Sequence, residues 1–294
     1  MQSPNPVARA GEITVEVRRL SAGAQAATDS VVRESPLQVL VDSEPLGILM
    51  RTPGADLELA LGLLHSEQIV HSRAEVAGAR LAPSGQGMLG ALGLEVELDP
   101  EAENLVDVHL LRPWVVGSSG WQRALPSSSA CGICGAATLD AIRRTHPRVG
   151  GSGTFELERL LQLPDLLKSS QQLFRSTGGL HAAGLLLPRS EELEVAEDVG
   201  RHNAVDKLVG RMLLADRLPL TDSCLVVSGR AGFEIVQKAA AAGIALVASI
   251  SAPSSLAVEV AELTGITLVG FLRPGGGNVY THSERLTSHP GVLA

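Results

Sequence analysis

Cys224-Leu225-Val226-Val227-Ser228-Gly229-Arg230 opens the stretch whose reading decides the fold. A helical pattern from Phe233 to Ala242 follows it, then a second apolar run from Ile244 to Ile250. Another helical pattern spans Leu256 to Leu263, and a third apolar run spans Ile266 to Phe271. Short continuous apolar runs bounded by Gly, Ser and Pro read as strands buried on both faces, and the longer periodic segments between them read as helices. Strand, helix, strand, helix, strand predicts parallel strands joined by right-handed crossovers. Ligands of such open sheets sit outside the carboxyl ends of the strands. Here those ends carry Ser228-Gly229-Arg230, Ser249 to Ser255, and Arg273-Pro274-Gly275-Gly276-Gly277. Small, polar and basic residues suit an anionic ligand; they equally suit ordinary turns.

Outward from this unit, Leu185-Leu186-Leu187 and Leu193-Glu194-Val195 flank Pro188-Arg189-Ser190 and predict a hairpin. Arg201 to Asp216 reads as a helix. Phe155 to Phe174 reads as a helical stretch interrupted at Pro164, and Ala136 to Arg144 as a shorter helix. Gly117 to Ser129, rich in Ser and Gly, reads as a linker or mobile loop. The first half alternates apolar and polar residues at Ile13, Val15 and Val17, at Leu37, Val39 and Val41, at Leu94, Val96 and Leu98, and at Val106, Val108 and Leu110. Each set predicts a half-buried strand. Leu57, Ala60, Leu61 and Leu64 predict a helix after the Pro53-Gly54 turn. The expected organisation is a flexible tail over 1–11, an α+β subdomain over 12–125, and an α/β core over 126–294.

The chain has 294 residues, 45% hydrophobic and only 2% aromatic, so the core must be aliphatic. Net charge is −8, which offers no basic face for duplex nucleic acid. No run of about 18 apolar residues predicts a membrane span. The Pro- and Ala-rich N-terminus lacks the order of a signal peptide. Three cysteines, an odd number, form no disulfide framework and fit a reducing cytoplasm.

Cys131-Gly132-Ile133-Cys134 is the densest chemical signal. A helix beginning near Ala136 would put its N-terminus near the sulfurs and favour the nucleophilic thiolate. Structural zinc needs about four ligands, and no second pair exists; Cys224 falls in a strand, where a cysteine is a small core residue. A zinc deaminase would use H-x-E and P-C-x-x-C. His65-Ser66-Glu67 fits the first half, but Ala130 stands where Pro is required. Sulfur or redox chemistry remains, which the cysteines alone do not prove.

Two further patches stand out. Thr177-Gly178-Gly179-Leu180-His181-Ala182-Ala183 places a histidine beside flexible backbone; His181 could act as acid, base or donor near neutral pH, or be structural. Glu197 to Lys207 crowds polar side chains, including His202 and Asn203, around Gly200 at a helix start. Asp198 could cap that helix, and Arg201 with Asp206 could form a surface ion pair. Neither explains His202 beside Asn203, so the patch is expected to contain site residues.

Together these segments resemble the FdhD family, the formate dehydrogenase accessory sulfurtransferases. The matching segments begin with Arg51-Thr52-Pro53-Gly54, Glu58-Leu59-Ala60-Leu61-Gly62 and Cys131-Gly132-Ile133-Cys134-Gly135. They continue with Thr177 to Ala183, Glu197 to Lys207, Ser228-Gly229-Arg230, Ser251 to Ala257 and Leu268-Val269-Gly270-Phe271. The resemblance implies a sulfurtransferase that takes sulfur as a persulfide from a cysteine desulfurase. It passes that sulfur to the molybdenum cofactor, in its bis-guanine-dinucleotide form, for the formate dehydrogenase apoenzyme. It implies Cys131 as carrier, with Cys134 its neighbour in the relay, and Phe271, Leu272, Arg273, Pro274, Gly275 and Gly276 as the cofactor segment. Ser228, Arg230, His181 and His202 are expected to contribute to the same cofactor site, and no resident metal is expected. The implied fold is a cytidine-deaminase-like α/β core with an added α+β subdomain, in a homodimer. Two positions depart from the family pattern: Gly232, where a polar residue is usual, and the surroundings of His65, where an aromatic is usual.

Overall fold

The computed structural model describes residues 11–20, 25–81, 95–98, 104–114, 148–151 and 153–287. The first described element is a hairpin, β1 (Glu12–Arg19) paired antiparallel with β2 (Gln25–Val32). A five-stranded sheet follows. It holds β3 (Ser35–Val41), β4 (Glu44–Arg51), β5 (Val76–Leu81), β6 (Glu95–Leu98) and β7 (Leu105–Leu110), in the order β4-β3-β7-β5-β6. One face of it is covered by α1 (Asp56–Ser66), whose Leu57, Ala60, Leu61 and Leu64 are fully buried with Leu37, Val39, Val106 and Val108. The period-two and helical patterns of those residues therefore meet in one core, as the sequence predicts. Ile13, by contrast, is exposed. Its hairpin joins neither large sheet.

Next come the two-residue strand β8 (Phe155–Glu156), α2 (Leu157–Ser170) and α3 (Gln172–Thr177). Pro164 does not interrupt α2. It sits buried inside the helix with Leu160, Leu163 and Leu167, and that packing outweighs the roughly 3 kcal/mol cost of an interior proline. The break falls instead at Gln171, which is extended.

The second sheet contains β9 (His181–Leu186), β10 (Leu193–Asp198), β11 (Cys224–Val227), β12 (Leu246–Ser249), β13 (Thr267–Arg273) and β14 (Gly276–Thr281), in the order β10-β9-β11-β12-β13-β14. The three central strands β11, β12 and β13 are parallel, as their sequence spacing predicts. Antiparallel strands flank them on both sides. The helices α4 (Arg201–Leu214), α5 (Phe233–Ala241) and α6 (Ser255–Thr264) connect the strands. Leu225, Val227, Val247 and Leu268 pack with residues of α4, α5 and α6. Alternate residues Cys224, Val226, Leu246, Ala248 and Val269 pack with Leu160, Leu163 and Leu167 of α2. Burial on both faces is why these strands read as unbroken apolar runs. The last described strand, β15 (Leu286–Thr287), pairs with β8.

Two glycines join the halves. A methyl on Gly62 of α1 would stand 1.9 Å from the Asp206 carbonyl oxygen of α4, and one on Gly210 would stand 1.8 Å from the Glu58 carbonyl oxygen. Only hydrogen side chains allow helices α1 and α4 to touch backbone to backbone. Gly117 to Ser129, the cysteine pair and the helix expected at Ala136 to Arg144 lie outside the described residues. No helix among the described residues is long and apolar enough to cross a membrane.

Candidate functional site

The carboxyl ends of β11, β12 and β13 lie at one end of the sheet, and the antiparallel β9 begins there. His181 is the first residue of β9 and pairs with Asp198, the last of β10. Ser228 follows β11: its hydroxyl accepts from Ala182 N at 2.9 Å and its own N–H donates to Ala182 O. Ser249 Oγ donates to Gly229 O at 2.7 Å and accepts from Ser251 N at 3.0 Å, tying the β11 turn to the β12 turn. Phe271 N donates to Ser251 O, tying β13 to both. Thus the sheet end is built from serines whose hydroxyls hold backbone groups of neighbouring turns.

Arginines line this end. Arg273 is exposed; its Nη1 donates to Leu272 O at 2.7 Å and also to Ile250 O, so among the described residues it meets carbonyls and no carboxylate. Arg230 is exposed and its side chain makes no bond to any described residue. Arg201, in the first turn of α4, is partly buried; its Nε is enclosed and bonds nothing. A methyl on Gly229 would stand 3.2 Å from His181 Nδ1 and 3.6 Å from Arg201 Cδ, so the histidine, the guanidinium stem and the glycine turn are mutual neighbours. Burial lowers the His181 pKa from its ordinary value, the charges of Arg201 and His202 lower it further, and Asp198 opposes them. His181 is therefore held in its neutral form. His202 Nε2 lies 2.9 Å from Glu234 Oε2, an ion-pair contact between the first turns of α4 and α5.

Arg273-Pro274-Gly275-Gly276-Gly277, expected as a loop beyond the strand, is a tight turn between paired strands. Arg273 and Gly276 are register partners. Phe271 is an exposed, positive-φ residue at an irregularity in that ladder, and Leu272 is buried beneath the sheet. Pro274 and Gly275 are exposed at the tip, with nothing within 4 Å of a methyl built on Gly275.

The crowded stretch from Glu197 to Lys207 divides in two. Asp198 is fully buried, and its Oδ2 accepts from Thr52 N at 3.1 Å and pairs with Lys207 Nζ at 2.7 Å. Its Oδ1 accepts from Gly200 N at 2.8 Å and Asn203 Nδ2 at 2.9 Å. Lys207 also donates to Thr52 O, and Asn203 to Met50 O. Glu197 accepts from Leu173 N and Phe174 N at the start of α3. These residues fasten the Met50–Thr52 segment and α3 to the sheet. They are a structural clamp: the carboxylates of Glu197 and Asp198, the Lys207 ammonium and the Asn203 Nδ2 are bonded within the protein. The cap of α4 is Gly200, not Asp198. No Arg201–Asp206 surface pair forms: Asp206 is buried and takes Lys238 Nζ at 2.8 Å on both oxygens, with Ser66 Oγ at 3.0 Å. Only Arg201 and His202 of the stretch belong to the sheet end.

His65 points away from it. Nδ1 lies 2.9 Å from Val70 O and Nε2 3.0 Å from Ala241 O, which leaves neither ring nitrogen for a metal. Cys224 is fully buried, as its strand position predicts. Cys131 and Cys134 lie outside the described residues.

The family model of the FdhD/NarQ family matches residues 32–287, which spans both sheets. The chain belongs to the FdhD/NarQ family. Among its relatives, a sulfur carrier protein FdhD of Streptomyces avermitilis is 44% identical over 88% of this chain and 89% of its own length. One of Sulfolobus acidocaldarius is 41% identical over 92% and 97%. A solved structure from Desulfotalea psychrophila, described as a candidate formate dehydrogenase accessory protein, superposes with a TM-score of 0.71 over 94% of this chain and 100% of its own, at 22% identity. That likeness concerns the fold.

Proposed function

We propose that this FdhD family member is a sulfurtransferase whose Cys131 carries sulfur as a persulfide. The observation that carries the reading is the sheet end itself. Among the described residues Arg230 and Arg273 meet no carboxylate there, in a chain of net charge −8 whose similar relatives are sulfur carrier proteins. A local concentration of unneutralised cations in an acidic protein favours an anionic ligand.

In the first step the Cys131 thiolate attacks the outer sulfur of a persulfide on a cysteine desulfurase. A new S–S bond forms on Cys131, the donor's S–S bond breaks, and the donor cysteine leaves as a thiolate. Cys134 is the neighbour in the relay. The acceptor is the molybdenum cofactor in its bis-guanine-dinucleotide form, bound as substrate at Phe271–Gly276 with Ser228, Arg230, His181 and His202, and destined for formate dehydrogenase. Neutral His181 can accept a proton, becoming an imidazolium, and can donate its ring N–H in a hydrogen bond.

The same reading takes the six-stranded sheet and its helices as a cytidine-deaminase-like core over 126–294, with an α+β subdomain over 12–125 and a tail over 1–11. It places a homodimer in the cytoplasm. The test is intact mass spectrometry after incubation with an active cysteine desulfurase and cysteine. A reducible gain of about one sulfur that is lost in Cys131→Ala supports the carrier role, because only the thiolate is nucleophilic. No gain in the wild type would leave a cofactor-binding chaperone instead.

A further inference from the structure

The β1–β2 hairpin is a two-stranded sheet of its own, and no described strand pairs with the outer edge of β1. It meets the body at its base. There β2 lies against α3, a methyl on Gly179 would stand 3.2 Å from Val32 Cγ1, and Ser176 Oγ donates to Glu12 Oε2. Ile13, Val15 and Val17 share one face with their register partners Val31, Asp29 and Ala27, and none of them is buried. A two-stranded ribbon is marginal in water unless further strands or a covering element support it.

The open edge is regular. Arg33 N donates to Gly11 O, so the bonds of this ladder fall on the odd-numbered residues of β1. The N–H and C=O groups of Glu12, Thr14, Glu16 and Arg18 therefore face outward. The β10 edge of the six-stranded sheet is guarded: Lys207 Nζ donates to Glu197 O and Arg211 Nη1 to Val195 O. Among the described residues β1 has no such guard, and neither proline nor bulge interrupts its 8 residues. A long, regular, open edge is a template for another strand.

The charges of β1 fit a second copy of itself. A two-fold axis through Val15 sets Glu12 opposite Arg18 of the second copy, Ile13 opposite its Val17, and Val15 opposite its Val15. Opposite charges then share one face and aliphatic side chains the other, each contact made twice by symmetry. An axis through Thr14 sets Glu12 against Glu16, and an axis through Glu16 sets that residue against itself. An axis between residues sets the aliphatic face against the polar one. Stacking the hairpins face to face would bury the exposed Asp29 carboxylate beside Val15.

We propose that β1 is the contact between two copies of this chain, pairing antiparallel with itself about Val15 into one continuous sheet, β2-β1-β1-β2. This assembly deepens the two-copy reading above and rests on it, but not on the sulfur chemistry. It supplies the strands that the hairpin lacks alone.

The experiment is sedimentation equilibrium of the full chain, with thermal melts to establish that each variant is folded. Arg18→Glu and Glu12→Arg each set like charges opposite one another at both symmetric positions, and each should weaken association about tenfold. The double variant, Glu12→Arg with Arg18→Glu, should restore it. Arg19→Glu, opposite Gly11, is the charge control and should match wild type. A second measurement uses a Cys131→Ala, Cys134→Ala background. Val15→Cys should there form a disulfide between copies under mild oxidation, since Cα atoms of such a pair lie about 4.5 Å apart. Val17→Cys, roughly 14 Å from its mate, should not. The proposal is overturned if Arg18→Glu associates within twofold of wild type, if the double variant recovers nothing, or if Val15→Cys does not cross-link. A wild type that still associates in that case keeps the two-copy reading and assigns it another face. A single-copy wild type overturns both and leaves the edge to a strand of another protein. Loss of persulfide loading on Cys131 overturns the sulfur reading alone.

Discussion

Gly62 and Asp206 meet main chain against main chain: a methyl on the glycine would lie 1.9 Å from the Asp206 carbonyl oxygen and 2.8 Å from its Cα. The neighbour is backbone and has no rotamer to give. Gly62→Ala and Gly210→Ala should therefore force α1 and α4 apart and destabilise the protein by about 3 kcal/mol or more. Gly275→Ala, with nothing within 4 Å of the added methyl, should change stability little. Urea unfolding midpoints of the three variants check this.

Asp206 and Lys238 sit beneath that contact, both buried, with both carboxylate oxygens 2.8 Å from Nζ. Burial pushes the Asp206 carboxyl up from its ordinary value, and Lys238 opposes the shift. Lys238→Met should cost about 3–5 kcal/mol by stranding the carboxylate. Adding Asp206→Asn should recover much of that loss. A double-mutant cycle by denaturant unfolding measures it, and equal losses in the single and double variants would sink the idea.

Acid should weaken the fold before carboxylates titrate. Burial lowers the His65 pKa, the carbonyls of Ala241 and Val70 oppose it, and burial likewise lowers His181. Below about pH 6.5 the unfolded histidines take up protons that the folded ones refuse. The unfolded state then binds more protons, so stability falls as pH drops from about 6.5 toward the depressed folded values. Unfolding midpoints between pH 7.5 and 5.5 should decline, and His65→Gln should flatten the slope.

Cys224 should be chemically silent. Its thiol is fully enclosed, and burial pushes its pKa well above the ordinary range. Iodoacetamide should spare it in the folded protein and modify it only after unfolding, read by peptide mass spectrometry. Persulfide loading should be unchanged in Cys224→Ala.

The parallel strands β11, β12 and β13 were legible because burial on both faces writes itself as unbroken apolar runs. β14 was not, because Gly275-Gly276-Gly277 reads as a turn and the strand beyond it leaves Val279 and Tyr280 exposed. The hairpin partner β2 and the edge strand β4 lacked a clean alternation for the same reason. Pro164 misled because local propensity favours a break that the packing of Leu160, Leu163 and Leu167 overrides. At the sheet end, Ser228, Arg230 and Arg273 followed from strand-end logic, and His181 from the Thr177–Ala183 patch. Arg201 did not, since its chain neighbours suggested a pairing with Asp206 that Lys238 pre-empts. Nor does a sequence distinguish polar side chains that face a ligand from those, like Asp198 and Lys207, that face one another.

The Asp198–Lys207–Thr52 clamp also bears on recombination. Its donors and acceptors come from segments some 150 positions apart, so neither half carries a satisfied set by itself. A chimera joining the first hundred residues of one relative to the remainder of another would inherit half of each bond. Exchange between family members should succeed only where residues 50–62 and 197–210 travel together from one parent.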